Sequence, residues 1–250
     1  MIGEAESIIV CEGYHDRAFL RGWLIARGCE DWKDKKYPPQ NNRSVKGGGH
    51  YVFRTPTQRW VRIVPVGGDG KLLGNADTYV QEAGSRSIER IVLVWDGDDA
   101  GGAPTASREQ SFESWAGRHS AQQINSSPDF GLVSCPSPTR LSLIVWRAQD
   151  PSDSQLPDKQ TLERLACAAV HEAYPSRCRA VKEWLEARPS PPSSEKLHKA
   201  HAASHMAGWF SDRGYEGFFD AVWEDGGVRA ALERRLEAIG ATRVVDELLG

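Results

Sequence analysis

Two short acidic runs carry the residue types that divalent-metal chemistry needs. Glu12-Gly13-Tyr14-His15-Asp16 sets two carboxylates four positions apart, and Asp96-Gly97-Asp98-Asp99 sets three within four positions. Carboxylates held this close repel one another unless a cation neutralises them, and hard oxygen ligands suit Mg2+ or Mn2+. Glu12, Asp16, Asp96 and Asp98 are therefore the expected metal ligands and the expected catalytic set. The plainer alternative is that an acidic residue at a strand-to-helix turn caps the helix or is merely solvated, and Asp99 alone is read that way.

Chemistry of this kind requires elements that bring the two runs together. Ser7 to Cys11 is a continuous apolar, β-branched run ending at Glu12-Gly13, as a buried strand of a parallel sheet would be. A helix is expected next over His15 to Ala26, with Phe19, Leu20, Trp23 and Leu24 at helical spacing and Gly28 as its terminating glycine. Arg90 to Trp95 is the strongest strand signal in the chain and runs directly into the second acidic motif. Functional groups of open α/β sheets collect at the carboxyl ends of the strands. If these two strands are neighbours, Glu12 and Asp96 share one sheet edge.

The remaining pattern supports an α/β core followed by helices. Residues 29 to 49 lack any period and read as a long loop. Tyr51 to Arg54 and Trp60 to Val66 read as a hairpin turning at Thr55-Pro56-Thr57. Helices are expected over Ala76 to Ala83 and Thr105 to Gly117, with short strands at Gly131 to Ser134 and Leu141 to Trp146. After Pro151 the pattern becomes helical: Leu162 to Ala173, Cys178 to Ala187, Glu195 to Phe210, Gly217 to Trp223 and Val228 to Ile239, broken by the Pro-Ser turn at 189–193. The expected organisation is an α/β catalytic core over residues 1–150 and a helical extension over 151–250 packed on it.

Taken together, E-G-x-x-D after one strand and D-x-D-x-x-G after a later one resemble the Toprim family. The resemblance covers roughly residues 5 to 105. It implies a mostly parallel sheet flanked by helices, a glutamate at Glu12 for proton transfer or metal binding, and a metal-binding aspartate pair at Asp96 and Asp98. The Glu12–Asp16 spacing, with VGGDGKLLGN ahead of the D-x-D strand, is most similar to the overcoming-lysogenization-defect nucleases. That branch implies a metal-dependent nuclease and a downstream lysine stabilising charge at the scissile phosphate, for which Lys196 is favoured over Lys199. It also implies a role in prokaryotic anti-phage defence with a separate ATPase or sensor protein as partner. Two other readings stay open: a Toprim ribonuclease maturing structured RNA, and a noncatalytic adaptor whose acidic cluster is structural.

Charge points to where a polyanion would lie. The chain has a formal charge of -3, yet Glu30 to Gly68 holds eight basic residues against three acidic ones. Arg43, Lys46 and Arg54 are the expected nucleic-acid contacts there, with DNA favoured over RNA, because phosphate neutralisation needs Lys and Arg. Lys46-Gly47-Gly48-Gly49-His50 is either a hinge presenting its two end residues or a plain linker. The Val66-Gly67-Gly68-Asp69-Gly70 run reads as a tight turn ahead of a phosphate cradle, since the P-loop pattern is lacking. His198, His201 and His205 share one helix face, and with no H-E-x-x-H and no neighbouring cysteine a packing or solvated role is favoured over zinc. Tyr14 is read as a turn residue and not a nucleophile, and the nine tryptophans as core.

Five cysteines with no C-x-x-C pair argue against a disulfide framework and a structural zinc site. No apolar run reaches the roughly 18 residues of a membrane span, and the acidic start MIGEAESIIV does not read as a signal peptide. A cytoplasmic protein with no membrane association is expected.

Overall fold

The computed structural model describes residues 6–32, 51–83, 87–97, 105–124, 129–132, 138–190, 192–193, 196–209 and 214–250. In chain order the described elements open with strand β1 (Glu6–Cys11), helix α1 (Tyr14–Ala26), β2 (Glu30–Asp31), β3 (Tyr51–Arg54) and β4 (Trp60–Pro65). A 3-10 turn (Asp69–Lys71) leads into α2 (Leu72–Ala83), followed by β5 (Ile88–Asp96), α3 (Thr105–Arg118), β6 (Gln122–Gln123), β7 (Phe130–Leu132) and β8 (Thr139–Trp146). A second 3-10 turn (Pro151–Gln155) precedes α4 (Leu162–Ala173), α5 (Pro175–Glu186), α6 (Leu197–Trp209), α7 (Gly214–Ala221), α8 (Gly226–Ala238) and α9 (Ala241–Leu249).

The strands form one sheet in the order β2-β3-β4-β1-β5-β8-β7-β6. Its centre is parallel: β1 pairs with β4 on one side and β5 on the other. Its flanks are antiparallel, β2 on β3, β3 on β4, β6 on β7 and β7 on β8. The fold is thus α/β with a mixed sheet, where the sequence had suggested a mostly parallel one. The reason lies in the connections: the β3–β4 hairpin turns within five residues, and only crossovers through α1 and α2 return the chain for parallel pairing.

Residues of the chain cluster into two compact units. The first comprises Met1–Trp95, Ala106–Val145 and Arg243–Gly250, and the second Asp96–Thr105 and Trp146–Thr242. In the first, successive strand residues alternate between faces. Ile8, Val10, Ile91, Leu93 and Trp95 pack with Leu72, Ala76 and Tyr79 of α2 and with Phe112, Trp115 and Ala116 of α3. Helix α1, with buried Phe19, Leu20 and Trp23, packs against β3 and β4. Gly28 ends α1 at φ 84°, the left-handed conformation glycine adopts without strain, and its N–H and that of Cys29 close onto the carbonyls of Ile25 and Leu24 at 2.9 Å. The α9 residues in this unit tie to the sheet through Arg90–Glu247 at 2.7 Å and Arg243–Asp129 at 2.7 Å.

The second unit is helical. Helix α4 is its centre, packing against α5, α6 and α8 and burying Leu165, Ala166, Ala169 and Val170 completely. Thr161 caps its start by accepting from the Arg164 N–H at 3.3 Å. Among the described residues no helix is long and apolar enough to cross a membrane.

Candidate functional site

Strands β1 and β5 are hydrogen-bonded parallel neighbours with Cys11 opposite Val94. Glu12 follows Cys11 directly and Asp96 is the last residue of β5, so both acidic motifs leave the carboxyl edge of adjacent strands. Strand β4 pairs parallel on the other side of β1 and sends out a third loop at that edge, Val66 to Gly70. The condition on which the sequence reading rested, that these two strands are neighbours, is met.

The carboxylates also have structural work. Asp16 stands in the first turn of α1, is buried, and its Oδ2 accepts the N–H of Gly13 at 3.0 Å, closing the helix start. Asp96 Oδ1 accepts the N–H of Leu162, the first residue of α4, at 2.9 Å. The Cys11 thiol beneath this edge is pushed well up, first by its burial and then by the nearby Asp16 and Glu12 carboxylates, so it stays a protonated thiol. Among the described residues no three of His, Cys, Asp or Glu converge closely enough to hold a metal ion. Asp98 and Asp99 lie outside the described residues.

The glycine run forms a turn, as its composition suggests. Gly67 and Gly68 adopt φ 75° and 132°, and both donate their N–H groups to the backbone carbonyl of Glu12 at 2.9 Å. Those amides, the ones a phosphate cradle would need, instead anchor the loop to the Glu12 backbone. Asp69, which closes this loop, was not singled out by sequence. Arg108 of α3 grips it through two N–H groups at 3.0 and 3.1 Å, the Trp95 indole donates to it, and the Arg108 guanidinium lies 4.5 Å from the Trp95 ring centre. The signal that would have found it is the one used for Glu12 and Asp96: an acidic residue in the loop after a strand. Arg17 is a second omission, buried beside Asp16 with its guanidinium 5.2 Å from the Tyr14 ring centre and 4.1 Å from that of Tyr51.

The basic segment looks different once folded. Arg62 is buried and forks onto Glu6 at 2.8 and 2.9 Å, and Arg59 pairs with Glu89 at 3.1 Å. Both acidic partners lie outside residues 30–68, so a charge count along the chain overstates the positive excess that the fold leaves there. Arg54 donates to the Gln58 side chain at 3.1 Å and lies 4.3 Å from the Trp60 ring centre. Arg43, Lys46, Gly47, Gly48, Gly49 and His50 lie outside the described residues.

In the second unit Lys196 and Lys199 are exposed at the start of α6. On the same helix His198, His201 and His205 are buried, 0 to 3% exposed, in keeping with the packing role. Cys11, Cys29, Cys167 and Cys178 are buried free thiols, and Cys135 lies outside the described residues. Trp23, Trp60, Trp95, Trp115, Trp146 and Trp223 are buried, whereas Trp184 is half exposed.

No family model matches this sequence, and no curated protein matches it. Among solved structures it is similar to that of a hypothetical protein from Pyrococcus horikoshii OT3, at 15% sequence identity and a TM-score of 0.62, with 98% of this chain and 100% of that one covered. At that identity the likeness is one of fold.

Proposed function

We propose that this chain is a divalent-metal-dependent phosphodiesterase of Toprim type, a nuclease acting on DNA in preference to RNA. One observation carries the reading: the two acidic motifs follow parallel strands that are direct neighbours, so Glu12 and Asp96 leave one sheet edge. The donors are carboxylate oxygen throughout, the type a hard divalent cation prefers, although the three described ones, Glu12, Asp16 and Asp96, do not converge on a preformed site. Glu12, Asp16, Asp96 and Asp98 would hold Mg2+ or Mn2+, which when bound activates water and offsets charge on a phosphate. Glu12 would serve either as a ligand of that cation or as the base that takes a proton from the attacking water. The backbone N–H groups of Gly13 and Leu162 fix the orientation of the Asp16 and Asp96 carboxylates. Arg43, Lys46 and Arg54 hold the nucleic-acid backbone, and Lys196 offsets charge on the phosphate.

A purely structural acidic pair is the competing reading, and the same two capping bonds favour it. Amide substitutions separate the two, because an asparagine oxygen still accepts a backbone N–H but binds a divalent cation poorly. Glu12→Gln and Asp96→Asn should each abolish Mg2+- or Mn2+-dependent cleavage while melting within about 2 °C of the parent, a shift corresponding to at most about 1 kcal/mol. Duplex DNA, single-stranded DNA and structured RNA assayed side by side identify the substrate. Undiminished cleavage by Asp96→Asn, or no metal-dependent cleavage of any of the three substrates by the parent chain, would sink the nuclease reading.

A further inference from the structure

Glu12 stands one residue beyond β1, past the point where the strand ladder fixes the chain. The loop that leaves β4 takes hold of it there. The N–H groups of Gly67 and Gly68 both reach the Glu12 carbonyl at 2.9 Å, and the Val66 N–H reaches that of Cys11 at 2.9 Å. Two successive amides can meet one carbonyl only where the backbone folds sharply. Gly68 does so at φ 132° and ψ 151°, a region that belongs to glycine alone, although a Cβ built there would meet nothing within 4 Å. The conformation excludes a side chain at this position, not the space.

The next residue fastens the other end of the loop. Asp69 accepts two N–H groups of the Arg108 guanidinium, at 3.0 and 3.1 Å, and the indole N–H of Trp95. Arg108 belongs to α3 and lies 4.5 Å from the Trp95 ring centre, so carboxylate, guanidinium and indole brace one another. Trp95 is itself part of the core between the sheet, α2 and α3. Cys11 stands opposite Val94, so the next residue on each strand brings Glu12 level with Trp95. A continuous path of bonds thus runs from the core and α3, through Asp69 and the two glycines, to the backbone of Glu12. Every residue on it belongs to the first unit.

We infer that Asp69 and Arg108 are positioning residues for Glu12: the pair clamps the loop after β4, and the loop sets where the Glu12 carboxylate stands. This rests on the role proposed above for Glu12 in cation binding or proton transfer. Either role tolerates little error, because a ligand or base must be held within about 0.5 Å of its productive place. Losing an outer partner of a metal ligand typically costs about 10–100-fold in metal affinity or activity. Arg108 acts through the loop and needs no contact with substrate.

The test reads the two links separately. Amide hydrogen exchange of the full chain reports on the loop: the Gly67 and Gly68 amides should exchange about tenfold faster or more in Arg108→Ala than in the parent, with the β1 and β5 amides unchanged. Calorimetric titration with Mn2+ alone and steady-state cleavage report on Glu12. Arg108→Ala should weaken Mn2+ binding or lower kcat by about tenfold or more, with KM for the nucleic acid within about twofold of the parent. Arg108→Lys keeps the charge without the fork and should fall between. Gly68→Ala strains the same path from its other end and should reproduce both effects; it carries the comparison if Arg108→Ala does not fold. Unchanged exchange at both glycines overturns the inference, and so does faster exchange with Mn2+ affinity and kcat at the parent's values. A raised KM with both of those unchanged also overturns it, since Arg108 would then be a substrate contact. A parent chain that neither binds Mn2+ nor cleaves removes the nuclease reading, and the positioning role goes with it whatever the exchange rates show.

Discussion

Gly97 separates Asp96 from Asp98, and its lack of a side chain has a physical cause. A Cβ there would lie 2.9 Å from the Gln160 Cβ and 3.2 Å from the Trp146 carbonyl. Gln160 has little freedom to retreat, because its side chain accepts from the Ala148 N–H at 2.9 Å and donates to the Asp158 carbonyl at 3.1 Å. Gly97→Ala must therefore shift backbone, at a cost of about 1–3 kcal/mol typical of overpacking. It should also misplace the aspartates on either side and reduce metal-dependent cleavage without touching a carboxylate. Chemical denaturation of the variant reads the first effect; an unchanged midpoint would show that the crowding relaxes freely. The sequence marks this glycine only as the spacer of an acidic motif. Its need for room arises from a glutamine 63 positions later, which no local pattern encodes. Asp69 carries the same strand-end acidic signal as Glu12 and Asp96, but its partners Trp95 and Arg108 come from β5 and α3, and nothing in VGGDG announces them.

At the scale of elements, the central strands and the long helices were legible because their signals are local. Continuous β-branched runs mark β1 and β5, and helical spacing marks α1 and α4. Strands β2 and β6 have two residues each, too few to show any period. Helix α9 does show helical spacing, in Ala241, Val244, Val245 and Leu248, but it is a nine-residue segment directly after a helix that the reading ended at Ile239. Side-chain partners across strands were not legible at all. Arg62 of β4 entered the count of a basic patch, yet it is 4% exposed and bonded to Glu6 of β1, itself 4% exposed, while its guanidinium also lies 5.5 Å from the Tyr79 ring centre. Breaking such a pair from one side strands a charge in the core. Arg62→Met alone should cost about 3–5 kcal/mol, whereas Glu6→Leu combined with Arg62→Met should recover most of that loss. Urea unfolding of the two variants decides it: a double variant no more stable than the single one contradicts the account. Since Arg62 is committed to Glu6, its removal should leave the salt dependence of nucleic-acid binding unchanged in any variant that stays folded.

Across the whole molecule, the response to acid should be set by the histidines of α6. The helix packs against α4 and α5. Burial lowers the pKa of His201 to about 4, with Lys182 of α5 adding repulsion. Burial likewise lowers that of His205 to about 4, reinforced by His201, by Arg177 of α5 and by His171 of α4. An unfolded histidine titrates near about 6.5. The folded state therefore favours the neutral rings, and between about pH 6.5 and 4 the unfolded chain binds more protons than the folded one. Stability rises with pH wherever that is so. It should be full above about 6.5 and fall progressively as the pH drops toward 4, with roughly two protons taken up per chain on unfolding at pH 5. Ordinary carboxylates titrate below most of this window, at about 4, so the slope between pH 6.5 and 5 belongs chiefly to these histidines. Melting temperatures measured from pH 7.5 to 4.5 should show it. Combining His201→Leu with His205→Leu should flatten the upper part of the curve while leaving the loss below pH 4 in place. A parent whose melting temperature is constant from pH 7 to 5 would mean that the rings reach water or a partner in solution, and that the core around α6 is looser than its burial implies.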